Sequence, residues 1–212
     1  MAAQPFTRVD VKATFATPFA VCRLAAAEAL NAALRPRILE REKQASGNVI
    51  SNVGGWQSED DFLDWSGAEG AQVIEAGKAL ASRLTAARDG RSPKPAWRVH
   101  AWANINRAGQ WNDGHAHPGN FWSACYYVDD AGAGDDPALG GEFEIQDPRG
   151  LAPAMYAPGL VFDMPDGGAA GAAMLFRPRA GEMFLFPSWL NHSVRPYRGS
   201  GTRISIAFNM AI

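Results

Sequence analysis

The sequence predicts a mainly β protein with helices toward its N-terminus and an antiparallel jelly-roll core. Three observations predict it. Up to residue 95, Ala- and Leu-rich stretches carry apolar side chains three and four apart, the period of one helix face. From Trp97 the texture changes to short runs rich in β-branched and aromatic residues, broken by Gly, Pro, Asn and Asp. No helical pattern separates those runs, which is the mark of an antiparallel barrel or sandwich.

In chain order, residues 18–45, PFAVCRLAAAEALNAALRPRILEREKQA, predict a first amphipathic helix with a kink at Pro36, whose ring removes a backbone donor. Ser58 in GWQSEDDFLDW, followed by acidic residues, reads as the N-cap of a second helical region. That region is expected to continue through AEGAQVIEAGKALASRLTAARDG and to stop at Gly90. The expected strands are WRVHAWANIN, FWSACYYV, EFEIQD, AMLFRP, GEMFLFP and TRISIAFNMAI. DDAGAGDDPALGG (129–141) and MPDGGAAGA (164–172) read as rim loops too polar and Gly-rich to pack. Trp56 is expected to cover the end of the barrel from the helical layer. A chain of 212 residues suits one core, so a single domain is expected over 1–212, with 1–95 as helical flank and 96–212 as the jelly roll that carries the site.

Composition narrows the function classes. A net charge of -2 with scattered arginines offers no basic stripe to track phosphates, so nucleic acid is not an expected partner. No stretch approaches the ~20 consecutive apolar residues of a membrane span, and the N-terminus lacks the pattern of a secretory signal. Cys22 and Cys125 stand far apart in apolar surroundings, which fits a reducing compartment, and the expected location is cytoplasmic. A homodimer is the base-rate expectation for a soluble protein.

Chemistry concentrates in NDGHAHPGNFW, residues 112–122, where His115 and His117 stand two apart in a chain with four histidines. On extended backbone, side chains at i and i+2 point the same way. A strand that starts after an Asp113–Gly114 turn would therefore aim both imidazoles inward. Taken alone the pair reads equally well as hydrogen-bonded or exposed histidines. His192, in GEMFLFPSWLNHSV at the end of another strand, is a third candidate that would close a long-range metal site. Arg203 and Ser205 share one face of the last strand, and an inward arginine in an apolar barrel needs an anion. That anion is either a cosubstrate carboxylate, held by the guanidinium and the Ser205 hydroxyl, or an Asp or Glu of the chain. Asn104 and Asn106 alternate on the WANIN strand and suit either ligand binding or a polar sheet edge.

The pieces HAH at 115–117, His192 and RIS at 203–205 resemble the iron(II) and 2-oxoglutarate-dependent dioxygenases, whose motif is His-x-Asp/Glu, a distal His, then Arg or Lys, often as Arg-x-Ser. NVGGWQS, WANIN, HAHPGNFWSACYYV, FPSWLNHSV and RISIAFN look more closely like a family of bacterial and phage 2-oxoglutarate-Fe(II) oxygenases of unassigned substrate. The resemblance implies a double-stranded β-helix, Fe(II) as metal and 2-oxoglutarate as cosubstrate. It implies hydroxylation of a small-molecule or amino-acid/peptide substrate by dioxygen, with release of succinate and CO2. It implies His115, His117 and His192 as metal ligands, with Arg203, Ser205 and Tyr127 gripping the cosubstrate carboxylate and Asn104 and Asn106 beside it. CYYVDD resembles the strand that follows the metal motif in prolyl hydroxylases, which places Tyr127 in that role. One departure stands out: His117 occupies the usual carboxylate position, with Asp113 the alternative source of a carboxylate.

Two rivals are weighed. A cupin also uses HxH and a later His, but the Glu expected shortly afterwards is missing, since positions 121–123 are Phe, Trp and Ser, and Arg203 would go unexplained. A non-catalytic module on the same barrel would bind a metal or a carboxylate for sensing. The aromatics Trp102, Trp111, Phe121, Trp122 and Trp189 surround the motifs and should mostly be core, with one or two at the mouth.

Overall fold

The computed structural model describes residues 8, 10–12, 14–91, 95–150, 157–160, 162 and 173–212. Among these run β1 (Ala20–Arg23), α1 (Ala27–Gln44), β2 (Asn52–Val53), β3 (Trp56–Gln57), α2 (Phe62–Trp65) and α3 (Gly67–Arg83). The remaining strands are β4 (Arg98–Asn106), β5 (Trp111–His115), β6 (Trp122–Asp129), β7 (Phe143–Gln146), β8 (Ala173–Phe176), β9 (Glu182–Pro187), β10 (His192–Val194) and β11 (Arg203–Ala211). They form a six-stranded sheet in the order β1-β9-β6-β11-β4-β3 and a five-stranded sheet in the order β2-β5-β10-β7-β8. Every pairing is antiparallel, and the two sheets make the jelly roll that the alternating runs predict.

Strand alternation divides the six-stranded sheet into two faces. Toward the helices, Ala103 and Ile105 of β4, Ala124 and Tyr126 of β6, and Ile204, Ile206, Phe208 and Met210 of β11 share a cluster with Leu34 and Ile38 of α1 and Val73 and Ile74 of α3. The approach of α3 requires Gly77: a Cβ there would lie 2.3 Å from the Phe208 ring. Toward the other sheet, Tyr127, Phe184 and Phe186 pack with Phe143, Ile145 and Leu190.

The N-terminal half departs from its expected elements in three places. Ala20–Arg23, expected as the start of a helix, instead pairs with β9 from Ala20↔Leu185 to Arg23↔Glu182. The free edge of β9 satisfies this backbone better than helix propensity does. The helix then runs from Ala27 to Gln44 with Pro36 inside it. Ser58 caps no helix. Its hydroxyl donates to the Glu59 carbonyl and accepts from the Ala103 N–H at 3.1 Å, tying this segment to β4. The second long helix ends at Arg83, short of Gly90, where Thr85 Oγ1 donates to the Ala81 carbonyl at 2.7 Å.

The loop over 129–141 packs, contrary to expectation. Ala133 is buried, the Tyr197 hydroxyl donates to the Ala131 carbonyl, and Gly140 bridges to Tyr197. The loop expected over 164–172 and most of 150–172 lie outside the described residues. Trp56 is buried in the cluster between helices and sheet, with its indole N–H on the Ala45 carbonyl. No helix among the described residues is long and apolar enough to cross a membrane.

Candidate metal centre

β5 ends at His115 instead of starting after a turn at Asp113–Gly114. Its register against β10 shifts, with His192 opposite His115 but Val194 opposite Asn112. Two steps on β10 thus face three on β5, a bulge that takes up the extra residue and re-aims the side chains around it. His115 and Asn112 both line the space between the sheets, whereas Asp113 is exposed and its carboxylate accepts from Trp111 Nε1 at 2.7 Å. The bulge is the physical reason that Asp113 does not join the histidines.

His117 lies two residues beyond the strand, its N–H donating to the Ser188 carbonyl at 2.9 Å. Ser188 Oγ in turn donates to the Asn120 carbonyl, which laces the 116–121 loop to the β9–β10 connection. The result is one cluster: His115, His117 and His192 offer ligand atoms within 4.8 Å of one another. Among the described residues no carboxylate or thiol joins this group.

Two of the three tautomers follow from the backbone. His115 Nδ1 lies 2.6 Å from the Asp113 carbonyl and His192 Nδ1 lies 2.9 Å from the Leu190 carbonyl. A carbonyl can only accept, so each Nδ1 carries its proton and each Nε2 presents a lone pair. Burial, reinforced by His115 nearby, lowers the His117 pKa to about 4. Burial again, with His115 and His117 adding to it and the Leu190 carbonyl opposing, lowers that of His192 to about 3. Both are therefore neutral at pH 7, the form a metal requires.

Near this cluster the sheet buries a group of polar side chains around Arg203. Arg203 is 1% exposed, and Nη1 reaches Asn106 Oδ1 at 3.4 Å while Nε and Nη2 have no partner. Its guanidinium carbon stands 5.1 Å from the centre of the Tyr127 ring. The Tyr127 hydroxyl lies close to Cys125 and Arg203 but has no well-formed hydrogen bond among the described residues, and burial pushes its pKa well above the usual phenol value. Asn106 Nδ2 and Asn104 Oδ1 are likewise buried and unpaired. Register places these groups together: Asn106 faces Arg203, and Ser205 has Asn104 on one side and Tyr127 on the other. No carboxylate among the described residues pairs with Arg203. Leaving such groups dry costs about 1–3 kcal/mol each, and more for a charge, which a ligand that pairs with them would offset.

Beside the histidines lies a pocket lined from both sheets. Asn104 and Ser205 line it together with the three histidines, and Trp102 stands edge-on to His117 at 5.7 Å between centroids. Sequence reasoning missed Ser51, Gln57, Asn112, Ser123, Cys125 and Asn209, which also line the pocket. Asn209 continues the alternation 203, 205, 207, and Ser123 and Cys125 that of Tyr127, so three of the six had a signal. Of the five aromatics expected to be mostly core with one or two at the mouth, Trp122 is buried, Trp102 stands on the pocket wall, Trp111 is part-buried, and Phe121 and Trp189 are half-exposed.

The family model described as "Putative 2OG-Fe(II) oxygenase" matches residues 100–209, just over half of the chain. The chain belongs to this oxygenase family. Ferrous iron and 2-oxoglutarate are the family's metal and cosubstrate, and the histidine cluster and the polar group around Arg203 suit one each. The oxygenase superposes on a prolyl-4-hydroxylase of Pseudomonas putida with a TM-score of 0.61 at 18% identity, covering 92% of each chain. A prolyl hydroxylase of Trichoplax adhaerens, in complex with a hypoxia inducible factor oxygen degradation domain peptide fragment, gives 0.61 at 14% identity over 91% of this chain and 83% of that one. HygX from Streptomyces hygroscopicus with nickel and 2-oxoglutarate bound gives 0.59 at 15%, covering 92% and 83%. At these identities the likeness is one of fold. No curated protein matches the oxygenase in sequence.

Proposed function

We propose that this oxygenase hydroxylates a small-molecule, amino-acid or peptide substrate, holding Fe(II) with His115, His117 and His192 and 2-oxoglutarate with Arg203, Ser205 and Tyr127. The observation that carries the reading is the buried, unpaired Arg203 guanidinium a short way behind three convergent imidazoles. When bound, iron would activate dioxygen, the oxidant, while 2-oxoglutarate would supply two of its four electrons on decarboxylation to succinate and CO2. The chain's residues do the rest. His115 and His192 present Nε2 because backbone carbonyls hold their Nδ1 protons. Arg203 neutralises the far carboxylate, Tyr127 and Ser205 donate hydroxyl protons to it, and Asn104 and Asn106 complete its polar surroundings. Phe143 and Phe186, packed on the His192 ring, keep that side of the centre dry. In this reading 1–212 form one domain, with the jelly roll from 96 onward carrying the site.

A second reading, a module that binds metal and carboxylate without turnover, is favoured by one observation: no carboxylate joins the histidine group. One experiment separates them. Ferrous iron and 2-oxoglutarate are added to the metal-free protein without oxygen, and the weak visible charge-transfer band of a chelated keto acid is sought. A band that bleaches on admitting oxygen, with succinate formed, supports the oxygenase reading. A band stable in oxygen supports the binding module, and iron uptake without a band contradicts both.

A further inference from the structure

The pocket reaches Asn209, at the other end of the polar face of β11 from Arg203. From Arg203 to Asn209, β11 runs roughly 20 Å at the rise of a strand, more than a five-carbon diacid can span. At the far end Asn209 and Ser123 face each other across the β6–β11 pairing and both line the pocket. This level also carries Phe186, opposite Ser123 on β9, whose ring lies 4.8 Å from that of His192. Asn209 and Ser123 therefore stand level with the histidines, on the side away from Arg203.

Their hydrogen bonding leaves one group to spare. Ser123 Oγ donates to Asn209 Oδ1 at 2.7 Å, which fixes the carboxamide and leaves Asn209 Nδ2 with no acceptor among the described residues. Asn209 is only 6% exposed, so this donor opens to the pocket and to little else. The lining around it is Ser51, Gln57, Trp102 and Asn112, and among the described residues no Asp, Glu, Lys or Arg lines the pocket.

We propose that Asn209, held by Ser123, is a specificity-determining residue that donates a hydrogen bond to an uncharged carbonyl or hydroxyl oxygen of the prime substrate. The inference rests on the oxygenase reading and names the substrate's chemistry at the metal's open side. An ammonium group would lose its water and meet no acid on the described walls. A carboxylate would lose its water and meet no lysine or arginine on the described walls, while the metal's charge would be offset by the bound cosubstrate dianion. A neutral amide or alcohol loses little and gains a preset donor.

The test uses propanamide, propanoate and propylammonium, three probes of one size and different charge. Each is titrated by saturation-transfer NMR into protein carrying zinc and 2-oxoglutarate, and in parallel into the metal-free protein. Propanamide is expected to bind saturably and the two ions not to. Asn209→Ala should weaken propanamide about tenfold, the cost of one hydrogen bond, with zinc content and 2-oxoglutarate affinity unchanged. Asn209→Asp, close in shape, should reverse the preference toward propylammonium. Binding of either ion as tight as that of propanamide, equal propanamide binding by wild type and Asn209→Ala, or no binding by any probe overturns the proposal. If zinc or 2-oxoglutarate fails to bind, the oxygenase reading fails by itself, and the metal-free titration still decides the role of Asn209.

Discussion

Along β11, Ile204, Ile206, Phe208 and Met210 face the helices, whereas Arg203, Ser205, Ala207 and Asn209 face the second sheet. The even-numbered face is apolar and closed. The odd-numbered face buries a guanidinium, and its neighbours on β4 and β6 bury amide and hydroxyl atoms that have no partner. One strand thus meets two demands, with apolar packing on one parity and, in the proposed reading, ligand recognition on the other. The difference teaches that unpaired polar groups on the second face oppose folding by themselves, so a ligand bound there, as proposed, would stabilise the fold.

The comparison can be broken most forcefully on the apolar face. Phe208→Ala removes a ring that α3 packs against at Gly77, and should cost about 3–5 kcal/mol in chemical denaturation. The fraction that remains folded should still take up metal and 2-oxoglutarate, because Phe208 touches neither site. On the polar face, His192→Ala should lower metal affinity by more than the ~10–100-fold typical of losing an outer partner, and should also lower metal-free stability because the buried ring packs on Phe143 and Phe186. Equilibrium titration with a divalent ion such as Co(II) reads this directly.

Acid should separate the faces next. His117 and His192, with pKa values lowered to about 4 and about 3, refuse protons that the unfolded chain accepts near pH ~6.5. Their contribution to stability is therefore complete above pH ~6.5 and lost progressively as pH falls toward the folded values. The Tm of metal-free protein should drop between pH 7 and pH 4, and the drop should be smaller in His192→Gln. A Tm that stays flat over this range would show that the two imidazoles are not buried as described. The mildest change is Tyr127→Phe, which deletes an unpaired buried hydroxyl. Metal-free stability should hold or rise slightly, while 2-oxoglutarate binds about tenfold more weakly by calorimetry.

Much of this plan is legible in the sequence because alternation is a local signal. The strands from Arg98 onward follow from period-two runs, and Arg203 with Ser205 follows from parity along one of them. What was hidden depends on partners distant in the chain. Ala20–Arg23 is a strand only because β9 has an edge to offer, and β2 and β3 are two-residue segments that exist only through their pairing with β5 and β4. The bulge in β5 is set by its register on β10, so counting i and i-2 from His115 aimed Asp113 inward when it points out. Asn112, Gln57 and Ser51 reach the pocket through the same long-range pairings, which no local pattern announces.

The central claim is that the polar face is shaped for an anionic ligand, with Arg203 as its charge. Calorimetric titration of 2-oxoglutarate into nickel-loaded wild type and Arg203→Met, with nickel content measured in both, tests it most directly. The account predicts equal nickel content, unchanged or higher metal-free stability in the variant, and loss of 2-oxoglutarate binding by about 100-fold or more. Equal affinity in the two proteins would contradict it, because the buried guanidinium would then serve something other than the cosubstrate.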